Sequence, residues 1–184
     1  MKENGGARML IRFNVKNFLS FSEREEGKSE EFSMIAGKVR NKKTHVYEND
    51  KIKLLKLAAI YGANASGKSN LVKALDFMRH TVVRGLPKGH TDMYCKIDDA
   101  NKEKESYFEV EIMLGEKYYA YGFEAVLSQS RFVSEWLIEL SGDNKEKLIF
   151  SRDINEGNYE FGDVLKKKGL INKLNVYAED IQED

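Results

Sequence analysis

Cysteine and proline are nearly absent from this chain of 184 residues, which has one of each. The single cysteine, Cys95, cannot form an internal disulfide, and such usage is typical of a reducing compartment. One proline excludes proline-rich linkers. Long apolar runs are missing too, since none approaches the ~20 residues of a membrane helix, and Met1–Arg8 has no signal-peptide core. We therefore expect a cytoplasmic protein that does not contact a membrane.

An excess of charge of one sign is also missing, because 30 basic residues balance 30 acidic ones. This balance gives no global indication of nucleic-acid binding, although a local basic patch would be hidden in the sum. Hydrophobic residues make up 41% of the chain, enough for one core. The three histidines have no zinc-motif spacing. We expect a disordered extension over residues 1–8, one folded lobe over 9–165 and a helical or flexible tail over 166–184.

Hydrophobic periodicity predicts the elements of the first half. Leu10–Val15 alternates as a strand, and Glu31–Ala36 is a second short strand. Leu54–Tyr61 is almost continuously apolar, as in a strand covered on both faces. Ser69–Arg84 has helical spacing and is ended by Gly85. The first half therefore predicts a strand, a glycine-rich turn and a helix.

The second half, over about residues 107–161, predicts an antiparallel sheet. Its short alternating runs are separated by turn residues: Tyr107–Leu114, Lys117–Val126, Phe132–Leu140, Lys147–Arg152 and Tyr159–Phe161. Aromatic residues such as Tyr121 and Trp136 could stack nucleic-acid bases, but their apolar neighbours favour packing within the sheet. The fold class is a mixture of α/β and α+β structure.

One motif carries chemistry and fits G-x-x-x-x-G-K-[ST] at every fixed position: Gly62-Ala63-Asn64-Ala65-Ser66-Gly67-Lys68-Ser69. The glycines let several backbone N–H groups approach one phosphate chain, and the next helix offers it a positive end. Lys68 would stabilise charge on the phosphates during transfer, and the Ser69 hydroxyl would ligate Mg²⁺. The alternative is a glycine-rich turn between strand and helix with an incidental lysine.

This motif with its neighbours Tyr61 and Asn70 resembles the P-loop of ABC-type ATPases of the SMC and RecF kind. Asn64, third in the loop, and Asn70, after the serine, are typical of that group. Typical members have glycine where this chain has Ala65. The variant loop resembles bacterial phage-defence ATPases of abortive-infection and overcoming-lysogenization-defect type. The resemblance implies an ABC-type head lobe of the P-loop NTPase fold with a flanking antiparallel β-subdomain.

The opening segment Leu10–Phe21 resembles the first strand and "N-F-x-S-F" element of the same ATPases. The resemblance implies that Asn17 and Ser20 lie close to the base, ribose or phosphates. Nucleotide-binding residues implied by both motifs are Asn17, Ser20, Gly62, Ala63, Asn64, Ala65, Ser66, Gly67, Lys68, Ser69 and Asn70. The implied cofactors are ATP and Mg²⁺, although no base-reading motif separates ATP from GTP.

Catalytic elements of such ATPases are missing from the sequence. No apolar strand ends in the Asp-Glu of a Walker B motif, and no signature Leu-Ser-Gly-Gly-like segment or switch histidine is recognisable. Gln129 is a weak candidate for the Q-loop glutamine. We therefore expect a chain truncated before Walker B, with a fragment favoured over a naturally short protein, and without hydrolysis in isolation.

Two hypotheses of different classes follow. The first is the ATP-binding N-terminal lobe of a phage-defence ATPase that pairs with a second head or an effector protein, with DNA a further possible partner. The second is a non-catalytic interaction module that docks onto a full-length relative as a decoy or inhibitor. A small-molecule kinase is disfavoured, because such kinases return to parallel βα units after the P-loop helix.

Overall fold

The computed structural model describes residues 6–23, 27–38, 43–141 and 145–167. Its two α-helices are α1, Lys68–Arg84, and α2, Asp163–Lys167, and short 3-10 helices lie at Lys43–His45, Asp99–Lys102 and Leu127–Gln129. The strands are β1 Arg8–Lys16, β2 Glu30–Ser33, β3 Val46–Glu48, β4 Lys53–Leu55, β5 Ser106–Leu114, β6 Lys117–Val126, β7 Arg131–Ser141, β8 Lys145–Asp153 and β9 Asn158–Phe161. No helix in these ranges is long and apolar enough to cross a membrane.

Seven strands form one sheet in the order β2-β1-β5-β6-β7-β8-β9, and every neighbouring pair is antiparallel. Strands β5 to β9 follow one another in a meander, joined first by a hairpin turn at Gly115, where φ is 65°. The antiparallel region predicted for residues 107–161 is confirmed. The sequence predicts it well because each strand pairs with its chain neighbour, so local alternation and turn residues suffice.

Helix α1 covers one face of this sheet. Phe77 on α1 contacts Phe18 and Phe108, with ring centroids 5.1 Å apart in each pair. Phe108 stacks in turn on Phe123 of the neighbouring strand, also at 5.1 Å. Phe18, Phe108 and Phe123 are completely buried. This aromatic cluster fixes α1, and hence the phosphate-loop motif at its start, against the middle of the sheet.

The opposite face is partly covered by the β3–β4 hairpin. Leu54 of β4 packs with Ile11, Met113 and Tyr118. Met113 and Phe108 lie an odd number of positions apart on β5, so their side chains point to opposite faces. Strand β3, Val46–Glu48, lies in a polar stretch of the chain and was not among the strands predicted from the sequence.

Aromatic side chains of the sheet are held by their neighbours. The Tyr121 hydroxyl donates to Glu135 Oε1 at 2.6 Å, and Glu135 Oε2 pairs with Arg152 Nε at 2.6 Å. Burial, with the nearby Glu135 carboxylate, raises the pKa of Tyr121 above its ordinary value. Trp136 Nε1 donates to Glu109 Oε2 at 3.0 Å. These bonds agree with the expected packing role of the aromatic residues.

Two boundaries differ from the predictions. The strand predicted over Leu54–Tyr61 is wrong beyond Leu55, because only Lys53–Leu55 pairs with a neighbour, and residues 56–66 are exposed. No strand lies beside residues 57–61 within the described ranges, so their apolar side chains have nothing to pack against.

The extension predicted over residues 1–8 is too long, since β1 begins at Arg8 and Ala7 O accepts a bond from Gly115 N. Residues 1–5 and 168–184 lie outside the described ranges.

Candidate functional site: the loop before α1

The loop that leads into α1 has a backbone suited to phosphate. Gly67 immediately precedes the helix with φ 87° and ψ 1°, in the left-handed region that glycine adopts without strain. Ala65 also has a positive φ, 63°, which costs a residue with a side chain about 1–2 kcal/mol. The chain therefore holds an unfavourable conformation at the position where typical members of the resembled group have glycine. Such strain is common where a loop is shaped around a ligand.

The start of α1 is open to an anion. No side chain caps the helix at Gly67, and its first turn contains no acidic residue. The first N–H groups of a helix have no partner within the helix, and together with the macrodipole they give this end a partial positive charge. An exposed helix start without a carboxylate is the donor set that a phosphate group requires.

Lys68 folds back over this loop. Its Nζ donates to Gly62 O at 2.8 Å and also to Ala63 O, and it lies 3.4 Å from Ser66 Oγ. The ammonium group is thereby held against the loop by two carbonyl oxygens. A phosphate entering the loop would offer stronger, charged acceptors to the same group.

The loop forms a shallow depression of about 300 Å³. Its lining consists of six consecutive residues, all of them predicted from the sequence: Ala65, Ser66, Gly67, Lys68, Ser69 and Asn70. Ser69 is an exposed member of this lining. Gly62, Ala63 and Asn64 lie in the exposed approach to this depression.

Ser20 lies against the same loop. Its Oγ accepts a hydrogen bond from Asn70 Nδ2 at 2.8 Å. A Cβ added at Gly67 would come 3.0 Å from this oxygen, so the two segments are in close contact. The structure thus brings Ser20 of the "N-F-x-S-F" element to the phosphate loop, although the two lie far apart in sequence.

Asn17, the other residue implied from that element, has a different environment. It is 4% exposed, and its amide group is bonded to the segment that follows Met93. We correct the expectation of direct nucleotide contact for Asn17, because its donors and acceptor are already engaged away from the loop. This segment has no strong hydrophobic periodicity, so its role was not predicted from the sequence.

Other candidates do not join the loop. Gln129 donates to Glu103 and accepts a bond from Arg131, and both partners lie outside residues 62–70. In the described ranges, no group of three or more His, Cys, Asp and Glu residues is placed to hold a metal ion.

Comparison with known proteins agrees with this geometry. A family model with the description "AAA domain, putative AbiEii toxin, Type IV TA system" matches residues 57–176, more than half of the chain. The matched range includes the phosphate loop, α1 and strands β5–β9, whereas β1 and Ser20 lie before it. No curated protein matches the chain.

Proposed function

The chain belongs to the AAA-domain family described with the AbiEii toxin, a family of P-loop ATP-binding domains, and on that premise we propose that it is the ATP-binding lobe of an ABC-type, SMC/RecF-like ATPase. One observation carries the proposal: the uncapped start of α1, with Gly67 in the left-handed conformation and Lys68 held over the loop. These features place an anion site and a cation together in one exposed depression.

In this proposal, the N–H groups at the start of α1 bind the phosphate chain and Lys68 balances its charge. Lys68 gives up its bonds to Gly62 and Ala63 and turns to the phosphate oxygens. Ser69 is the protein ligand to Mg²⁺, which would also contact phosphate oxygens. Ser20 and Asn70 hold the two sides of the site together.

The test is a calorimetric titration of the chain with ATP in Mg²⁺. Lys68→Ala should weaken binding by at least about a hundredfold, because charge-assisted bonds to phosphate are among the strongest in proteins. Lys73→Ala is the matched control: it removes the same charge from the same helix, at an exposed position outside the depression. Equal affinity for the wild type and Lys68→Ala would refute the phosphate-loop assignment.

The metal role of Ser69 is tested by the same titration with and without EDTA. Ser69→Ala should weaken binding in Mg²⁺ more than in EDTA, because only the first condition uses the hydroxyl as a metal ligand. An equal loss in both conditions would remove the metal role.

Hydrolysis requires groups beyond those in the described site. Residues 62–70 contain no carboxylate that could orient an attacking water. We propose that a Walker B carboxylate and a signature segment complete the site and that heads pair around the nucleotide. The isolated chain should show negligible ATP turnover, and robust turnover that Lys68→Ala abolishes would contradict this division.

We also propose a role in phage defence of the abortive-infection or toxin–antitoxin type, supported by the family description and by the variant loop at Ala65.

A second candidate function is an interaction module that docks onto a relative. Exposed apolar side chains favour it, with Leu57 73%, Tyr61 90% and Val83 72% exposed. Solution mass with and without ATP separates the two: nucleotide-dependent pairing supports the ATPase lobe, and nucleotide-independent association supports the module.

A further inference from the structure

Asn17 combines a left-handed backbone with a buried side-chain amide that is bonded through both its nitrogen and its oxygen. It lies at the end of β1 with φ 52°, a left-handed conformation that asparagine tolerates better than most residues. Its Nδ2 lies 2.8 Å from Asn101 O and 3.1 Å from Lys104 O, and its Oδ1 accepts from Cys95 N at 3.0 Å. The Ser106 hydroxyl donates to the Asn17 carbonyl. The buried amide therefore ties the segment 95–106 to the end of β1.

The backbone just before this segment is bonded to the turn that follows Asn17. Leu19 N donates to Met93 O at 2.8 Å, and Leu19 also has a positive φ of 50°. Phe18 and Phe21 exchange backbone bonds of 3.0 and 2.8 Å across the turn. Residues 17–21 therefore form a tight bracket whose outer side is fixed by residues 93–106.

The inner side of this bracket contacts the phosphate loop and its helix. Phe18 packs under α1 against Phe77, and Ser20 Oγ accepts the bond from Asn70 Nδ2. Ser20 also lies close to Gly67, the residue whose left-handed conformation starts the helix. A shift of the bracket towards the loop would press Ser20 against Gly67, where an added Cβ would lie only 3.0 Å from Ser20 Oγ.

We propose that Asn17 is a positioning residue for the phosphate loop and acts through Ser20. Its amide holds the bracket against segment 95–106, and the bracket holds Ser20 at Gly67 and Asn70. The nucleotide then meets a loop whose shape is already set, so it does not have to order the loop on binding. This inference rests on the proposed nucleotide binding, but the preformed loop is a property of the free protein as well.

The first test compares two asparagine variants. Asn17→Gly keeps the left-handed backbone and removes the amide. Asn49→Gly is the control, because Asn49 Oδ1 accepts from Lys51 N and Ile52 N and its Nδ2 donates to Tyr118, on the opposite side of the sheet. Asn17→Gly should weaken MgATP binding about tenfold, which is within the range of coupling between neighbouring groups. Asn49→Gly should change the stability of the protein and leave MgATP binding unchanged.

A double-mutant cycle with Ser20→Ala identifies the route. If Asn17 acts through Ser20, removal of the Ser20 hydroxyl should reduce the effect of Asn17→Gly on ATP affinity to less than about twofold. Losses that multiply in the double variant, or wild-type affinity in Asn17→Gly, would overturn the proposal. A residue that only supports overall stability would not show this coupling.

Hydrogen exchange of the nucleotide-free protein separates this inference from the proposed function. Asn17→Gly should speed exchange at residues 67–71 about tenfold, while Asn49→Gly should leave it unchanged. If the wild type binds no ATP, the proposed function fails and this exchange result alone decides the positioning role, with unchanged exchange against it. If Asn17→Gly does not fold, Ser106→Ala, which removes only the hydroxyl bond to the Asn17 carbonyl, takes its place in every comparison.

Discussion

The antiparallel sheet and the segment before α1, residues 56–67, have similar apolar content but opposite environments. In the sheet, each strand from β5 to β9 pairs with its chain neighbour, and Phe13, Phe108 and Phe123 are completely buried. In the segment before α1, Leu57, Ile60 and Tyr61 are exposed. The difference shows that apolar side chains are buried only where a neighbouring element of the described chain packs against them. The segment that leads to the phosphate loop has no such neighbour within the described ranges.

The largest expected effect comes from a substitution in the buried core of the sheet. Phe108→Ala removes a ring that contacts Phe18, Phe77 and Phe123, so it should lower the free energy of unfolding by about 3–5 kcal/mol. Tyr61→Ala is the matched aromatic control and should stay within about 0.5 kcal/mol of the wild type, because the ring is exposed. Urea denaturation measures both. Equal losses would mean that Tyr61 is packed in solution.

An intermediate effect is expected at the junction of loop and helix. Gly67→Ala forces a side chain into the left-handed region and brings its Cβ 3.0 Å from Ser20 Oγ. It should lower the free energy of unfolding by about 1–2 kcal/mol and weaken ATP binding, since the loop must shift away from Ser20. Gly89→Ala is a suitable control, because an added Cβ there meets nothing within 4 Å. Unchanged ATP affinity in Gly67→Ala would contradict the described loop geometry.

The smallest effect has the opposite sign. Ala65→Gly removes the cost of a positive φ, so it should raise the free energy of unfolding by about 0.5–1 kcal/mol. Ala63→Gly is the control from the same exposed loop, because Ala63 has no positive φ for glycine to relieve. Glycine also gives the unfolded chain more freedom, so the Ala63→Gly variant should be no more stable than the wild type. Thermal melting distinguishes the two. A loss of stability in Ala65→Gly would show that the loop adopts another conformation at this residue.

The sequence was sufficient where structure is local. Alternation with turn residues predicted β5 to β9, and helical spacing predicted α1 to within one residue of its start. The site pattern was equally local, since Ala65 to Asn70 are consecutive and line one depression. The positive φ of Ala65 gives a physical reason for the glycine that typical members of the resembled group have there.

The sequence was insufficient where the structure depends on distant partners. The strand predicted through Tyr61 failed because apolar composition does not reveal whether a neighbouring strand exists. The resemblance of the opening segment implied that both Asn17 and Ser20 lie close to the nucleotide, but the side-chain amide of Asn17 is bonded away from the loop. Its bonding partners lie about 80 residues further along the chain, and no periodicity marks them.

The central claim is that the nucleotide phosphates bind at the start of α1, and mapping of backbone amide resonances during an MgATP titration tests it most directly. We predict that the largest shifts occur at residues 65–70, with a smaller shift at Ser20 and none at the β3–β4 hairpin. The same titration of Lys68→Ala should leave these amides unshifted. Shifts that centre elsewhere, or that persist at residues 65–70 in Lys68→Ala, would contradict the claim.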